Sequence, residues 1–339
     1  MRASDGTVDD CTRSRWEELA QCSKNLYILY QSPTWWDHLA ATGDPAGLSM
    51  AIVRNQHQRI EGIVPLHAAR YPLAFILGKH TQLNLFLNSM AVLGGVPMLP
   101  DDRVTYDLVF QKLWSAFPEC DSVYLKSIPK GSFCWSYLCE RHWHGEGVTL
   151  YRPDGVRLFH SIELPATFSE YLSRFHGKTR WTLRKKVARL REYGGGQLKL
   201  VRVESAEQVP EFIASLRSVF DHSWQCRNAC IRQYVNGCSC DKIADLARRG
   251  ILRSYQLQCG DRCCAYVIGY SYAGVYHYSD VAYDKGYASF SPGTVLLYLL
   301  IEDLISHGAT HWVNLGIGDG SYKRQFANRH VCDADFLLI

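Results

Sequence analysis

The stretch from Val275 to Lys323 constrains this chain most. Val275 to Ala282 is a β-branched and aromatic run, which reads as a strand. A loop follows, with Gly286 and the tetrapeptide Ser291-Pro292-Gly293-Thr294. Val295, Leu296, Leu299, Leu300, Leu304 and Ile305 then recur at helical spacing, up to Gly308 in the place of a helix-ending glycine. His311 to Leu315 reads as a second strand, broken by Gly316-Ile317-Gly318. The order is strand, Ser/Gly loop, helix, strand.

That order carries chemistry. A helix that opens on a Ser-Pro-Gly-Thr turn begins with free backbone N–H groups and the positive end of its dipole. Pro292 suits the first turn, where its missing N–H costs nothing. Gly293 has no Cβ, so a large anion can approach the backbone. Such an anion gains roughly 0.3–1 kcal/mol at an exposed site and up to about 2 when partly buried. The same pattern also describes an ordinary capped helix, since SPGT is a weaker fingerprint than a P-loop.

The segment SPGTVLLYLLIEDLISHGATHWVNLGIGDGSYKRQF resembles the C-terminal half of GNAT-type acetyltransferases of the CelD (cellulose biosynthesis) group, which are similar to the FemAB transferases. Ser291, Pro292, Gly293, Leu296, Leu297, Ile301, Gly308, Leu315, Gly316, Gly318, Tyr322 and Lys323 carry the likeness. It departs in the last strand, where the family usually has Asp and this chain has Val313-Asn314. It extends weakly to the basic helix near Arg180 and the Pro33-Trp35-Trp36 helix.

The resemblance implies an acyltransferase with acetyl-CoA, or another acyl-CoA, as co-substrate and a sugar or cell-envelope precursor as acceptor. Ser291, Pro292, Gly293 and Thr294 would then hold the donor pyrophosphate, with Val281 and Tyr283 on the strand leading in. In the family this strand splays from its neighbour, and a free backbone N–H there polarises the thioester carbonyl. Asp280, or Asp284, would take the acceptor proton through water. Tyr322 would protonate the leaving thiolate. Lys323 and Asp319 would meet the acceptor. As lone carboxylates, Asp280 and Asp284 more often serve as caps or turn residues. Two alternatives remain: a FemAB-like transferase using aminoacyl-tRNA, and a non-catalytic GNAT-like scaffold in a polysaccharide-assembly complex.

The rest of the chain bounds these readings. At 339 residues and 47% hydrophobic composition it can bury two ordinary domains or one large one. Met1 to Asp10 is polar and acidic and does not read as a signal peptide, so a cytoplasmic location is expected. Lys79, His80, Gln82, Asn84 and Asn88 break the apolar Leu73–Leu99 region, which does not read as a membrane helix. Of thirteen cysteines, Cys226, Cys230, Cys238 and Cys240 cluster without the spacing of a zinc site, so no metal is expected.

From Arg174 to Arg191 there are eight Lys/Arg residues and no carboxylate. Leu183, Val187 and Leu190 make an inner stripe if this is helix. The cations read either as a solvated face or as an anion site. The latter would use Arg180 and Arg184 for donor or acceptor phosphates, or the whole face for membrane headgroups. No nucleic-acid motif accompanies them, so no specific nucleic-acid partner is expected.

In chain order the reading gives helices at Arg15–Cys22 and Pro33–Ala41, and a hairpin turning at Asn55-Gln56-His57-Gln58. A helix from Asp101 or Asp102 and a strand from Asp121 follow. The second half gives one long helix from Phe168 to Tyr193 and a meander from Ile251 to Ala282. Ser279, Val281 and His277 should share one face of the last meander strand, and Tyr278 and Asp280 the other. The expected fold is mixed α/β, as two tandem GNAT-like domains, 1–154 and 155–339, joined near Tyr151–Gly155. Pro97 and Pro100 remove N–H groups from the loop after Gly94-Gly95, so the first domain is expected to hold no cofactor.

Overall fold

The computed structural model describes residues 8–43, 45–77, 81–140, 147–227 and 239–339. The fold is mixed α/β and divides into two units, each a mixed sheet flanked by helices. Unit 1 is Met1–Phe159 with His330–Ile339, and unit 2 is His160–Arg329. The sequence reading keeps the whole C-terminus in the second domain; the last strand lies instead in unit 1.

In unit 1, helices α1 (Asp10–Cys22) and α2 (Pro33–Thr42) precede an antiparallel meander of β1 (Leu48–Arg54), β2 (Ile60–Leu77) and β3 (Thr81–Val92). Ser32 accepts the Trp35 N–H at 3.1 Å with Pro33 in the first turn, which fixes the start of α2. Helix α3 (Arg103–Ala116) carries the chain to β4 (Ser122–Pro129), parallel to β3. Helix α4 (Phe133–Glu140) and the short β5 (Leu150–Tyr151) follow. The remaining strand, β12 (Arg329–Leu338), comes from the far end of the sequence and pairs antiparallel with β4 and β5.

The two-residue period of β12 explains why it stays there. Ala334, Phe336 and Leu338 enter the core that Tyr106, Phe110 and Leu113 of α3 build with Leu125 of β4. On the other face Asp335 accepts from the Arg157 guanidinium at 2.5 Å, the Tyr124 hydroxyl at 2.7 Å and the Ser127 N–H at 2.8 Å. Trp16, Trp36, Met50 and Ile63 form a second core under α1 and α2.

Unit 2 opens with β6 (Arg157–Glu163), α5 (Phe168–Ser173) and α6 (Gly177–Tyr193). Next come β7 (Leu198–Val203), α7 (Val209–Asp221), α8 (Cys240–Arg248) and a meander of β8 (Ser254–Cys259), β9 (Arg262–Tyr272) and β10 (Val275–Tyr283). Helix α9 (Pro292–His307) leads to β11 (Trp312–Ile317), parallel to β10, and α10 (Ser321–Phe326) ends the unit. The strand order is β6–β11–β10–β9–β8–β7. Helices α5, α6 and α9 cover one face, and α7 the other.

The expected long helix from Phe168 to Tyr193 is two helices. Arg174 explains the break. Its guanidinium donates to the carbonyls of Gln325, Phe326 and Ala327 at 3.1, 2.5 and 3.1 Å, satisfying the end of α10. A continuous helix would not aim it there.

The repeat that element order suggested is visible in backbone detail. Each unit runs meander, helix, parallel strand. In unit 1 the last parallel pair is Val92 with Leu125, and Ser127, two residues on, takes φ +53°. In unit 2 the last pair is His277 with Asn314, and Gly316, two residues on, takes φ +73°.

Candidate active site

Strand β10 pairs with β11 only over Val275–His277. From Tyr278 to Tyr283 it continues beside β9 alone. The two parallel strands therefore open from each other, and among the described residues the edge of β10 facing the gap keeps N–H groups with no strand partner. This opening is the one geometric element the resemblance called for.

A β-bulge falls inside the opening. Tyr278 sits opposite Gly269 and Asp280 opposite Ile268, so Ser279 is the extra residue. The bulge corrects the simple alternation read from sequence. His277 and Asp280 now share the α7 face, while Tyr278, Val281 and Tyr283 turn to the α9 face. Asp280 is largely buried there near the Tyr266 hydroxyl, and its Oδ2 is enclosed. Burial pushes its carboxyl up to about 6, against 3.8 normally, outweighing the Tyr266 and Val281 hydrogen bonds. His277 is pushed down to about 3 by burial and stays neutral at working pH. Gln225 Nε2 donates to the Val281 carbonyl at 2.9 Å and steadies the strand just past the bulge. Sequence reasoning found neither Tyr266 nor Gln225, because both act through contacts distant in sequence. Asp284 is a turn residue, accepting the Gly286 N–H at 2.7 Å.

Helix α9 starts at the mouth of the opening. Ser291 takes a left-handed conformation, φ +56° and ψ +53°, and makes no side-chain cap. Fewer donors are free than the sequence reading expects. Pro292 has none, and the Thr294 and Val295 N–H groups bond back to the Ser291 carbonyl at 3.0 and 3.1 Å. The Gly293 N–H has no backbone acceptor among the described residues. A Cβ on Gly293 would meet only the Tyr283 ring, at 3.6 Å. Gly293 and Tyr283, both picked from sequence, are thus brought together. The matching helix start in unit 1 differs: the Asp102 carboxylate accepts the Thr105 N–H at 2.8 Å and places a negative charge where an anion would sit.

Past β11 the chain turns sharply. Asn314 Oδ1 accepts the Gly316 N–H at 2.8 Å, so the amide fills the acceptor position where the family usually has Asp. Gly316 then supplies the positive φ that a side chain would resist. Lys323 Nζ donates to the Ile317 carbonyl at 2.5 Å, and burial pulls its pKa down to about 8. Lys323 holds this turn. Tyr322 lies on the α9 face next to Tyr278; burial pushes its phenol up to about 12. Asp319 pairs with Arg324 and stands 3.7 Å from His160 Nε2, and the cap of α10 is Gly320 rather than Asp319 or Ser321. Arg184 hydrogen-bonds Tyr298 on α9. Arg180 lies one turn earlier on the same flank of α6, half-buried. Val281 packs against the apolar core of unit 2, and Pro292 is buried.

No group of His, Cys, Asp or Glu that could hold a metal occurs among the described residues. Cys230 and Cys238 of the cysteine cluster lie outside those residues.

Residues 177–324, from α6 to α10, match the acetyltransferase (GNAT) domain family. The match contains the opening, the bulge and the start of α9. No curated protein matches the chain. Among solved structures, FemX aligns with TM-score 0.62 at 8% identity, over 98% of this chain and 96% of its own. The C-terminal domain of a protein described as a lysylphosphatidylglycerol synthetase from Agrobacterium fabrum aligns with TM-score 0.54 at 14% identity, over 96% and 90%. A tandem GNAT protein from the clavulanic acid biosynthesis pathway aligns with TM-score 0.50 at 13% identity, over 100% and 96%. These likenesses show a tandem GNAT fold. No helix among the described residues is long and apolar enough to cross a membrane.

Proposed function

We propose that unit 2 transfers an acyl group from an acyl-CoA, acetyl-CoA first, to an amine or hydroxyl of a sugar or cell-envelope precursor. The opening of β10 from β11 after His277 carries this reading. The family match supports acyl transfer, and the CelD resemblance supports the sugar acceptor. The donor supplies a thioester carbonyl and a thiolate leaving group. The unpaired N–H groups of β10 stabilise the oxyanion, a contribution that needs no side chain. Gly293 and the start of α9 receive the pyrophosphate. Asp280, ionised above pH about 6, takes the acceptor proton from the α7 face. Tyr322, still protonated at neutral pH, donates toward the sulfur from the α9 face. The same opening would take an aminoacyl ester instead of a thioester, the alternative that the FemAB resemblance implies. Measuring which donor is consumed separates the two.

Gly293→Glu places a carboxylate where the pyrophosphate would sit. CoA affinity by calorimetry should fall at least about tenfold, given a like charge at the dipole's positive end. Unchanged affinity in a folded variant would move the donor elsewhere. Tyr322→Phe should lower kcat by about 10- to 10,000-fold and leave the Michaelis constants nearly unchanged. Full turnover with chemistry rate-limiting would reduce Tyr322 to packing.

A further inference from the structure

The outward face of α6 is unusual for this chain. Helix α6 holds seven Lys/Arg residues and one carboxylate, Glu192. That is net +6 on a chain of net +4, so everything else together is acidic. Elsewhere arginines find carboxylates: Arg13 with Asp37, Arg157 with Asp335, Arg249 with Asp245 and Arg329 with Glu163. No cation of α6 has an ion pair among the described residues. Leu183, Val187 and Leu190 are buried, so the helix is anchored to unit 2 by one stripe. Opposite that stripe, Lys178, Trp181, Lys185 and Arg189 follow at steps of three or four and form one outward line. Trp181 is 59% exposed, a costly place for an indole in water.

We infer that this face docks on an anionic lipid bilayer. The inference does not depend on the acyl-transfer reading. Charge complementarity calls for a polyanion, and the geometry favours a flat one. The helix is about 25 Å long, with its cations spread along it. A single tryptophan at the centre of the outward line suits the headgroup level, where an indole keeps its N–H wet and its ring dry. The lysine and arginine stems lie along the surface with their heads toward phosphates. Single-stranded RNA would require a row of open rings for base stacking. Here the two exposed rings of the helix are both engaged: Lys185 Nζ lies 4.5 Å over Trp181, and Tyr193 at the helix end packs on Tyr287 and Phe290.

Vesicle co-sedimentation of the full chain tests this. Vesicles of phosphatidylcholine with about 30% phosphatidylglycerol should bind at least about tenfold more protein than phosphatidylcholine alone at low salt, and about 0.5 M salt should abolish the difference. Lys178→Glu with Lys185→Glu should cut binding at least about tenfold, and Trp181→Ala about threefold. A control with the same change in net charge, Lys112→Glu with Lys242→Glu, should lose less than about twofold, because its charges lie off α6. Circular dichroism establishes that each variant is folded. Equal binding to neutral and anionic vesicles overturns the inference, as does a control that loses as much as the α6 variant. RNA that displaces the protein from vesicles at equal salt also overturns it, in favour of nucleic acid.

Discussion

Removal of residues 330–339 should unfold unit 1, although unit 1 holds the other end of the sequence. The strand they form lies beside β4 and β5, and Ala334, Phe336 and Leu338 are almost fully buried in the core under α3. Deleting it uncovers that core and leaves the hydrogen-bonding edge of β4 without a partner. It also takes Asp333 and Asp335 from Arg157, whose Asp154 partner is mostly exposed. Phe336→Ala alone should cost about 3–5 kcal/mol, the usual range for emptying a buried phenylalanine site. Hydrogen exchange followed by mass spectrometry reads the location directly. Peptides from β1 to β4 should lose protection, and peptides from β8 to β10 should keep most of theirs. Loss confined to β8–β10 would mean that the strand supports unit 2 instead. A cut at 154/155, where sequence alone puts the boundary, should give an N-terminal piece that does not fold, because it lacks β12.

Asp280→Asn should make the protein more stable and less active at once. The folded carboxyl binds its proton more tightly than the unfolded one, about 6 against 3.8. The native state therefore gains at low pH, and that gain is lost as pH rises from about 4 to about 6. Above pH 6 the fold carries a buried carboxylate with no cation among the causes of its shift. The shift is equivalent to about 3 kcal/mol at most, by the conversion of one unit to 1.36 kcal/mol. Asparagine removes the charge, but it brings an amide donor that needs a partner. The net gain should be about 1–2 kcal/mol at pH 7.5 and near zero at pH 4, opening between those values. Denaturant melts of both proteins across that pH range check it. Turnover should fall about 100- to 10,000-fold with the base gone, and the wild-type profile should rise with pH through about 6. A variant that is no more stable at pH 7.5 than at pH 4 would show that Asp280 is not strained. One that is stabilised yet fully active would assign the proton to another group.

Sequence determined the local order of this protein, because local order depends on neighbours. Apolar spacing from Val295 to Ile305, the turn at Pro292-Gly293 and the stop at Gly308 fix α9 without reference to anything distant. The meander, the parallel step and the exposed basic line of α6 follow from the same short-range patterns. Tertiary structure decided what depends on pairing across the chain. Ser279 looks like any strand residue, and only its neighbours on β9 make it a bulge and turn Asp280 to the face of His277. Arg174 could have continued a helix; three distant carbonyls at the end of α10 end it instead. The pattern of β12 marks a strand, buried on both faces from Asp333 to Leu338, but does not say whose core it enters. Alternation with period two reports that a face is covered, and the residues that share its core, among them Phe110 and Leu125 far earlier in the chain, are chosen by packing alone.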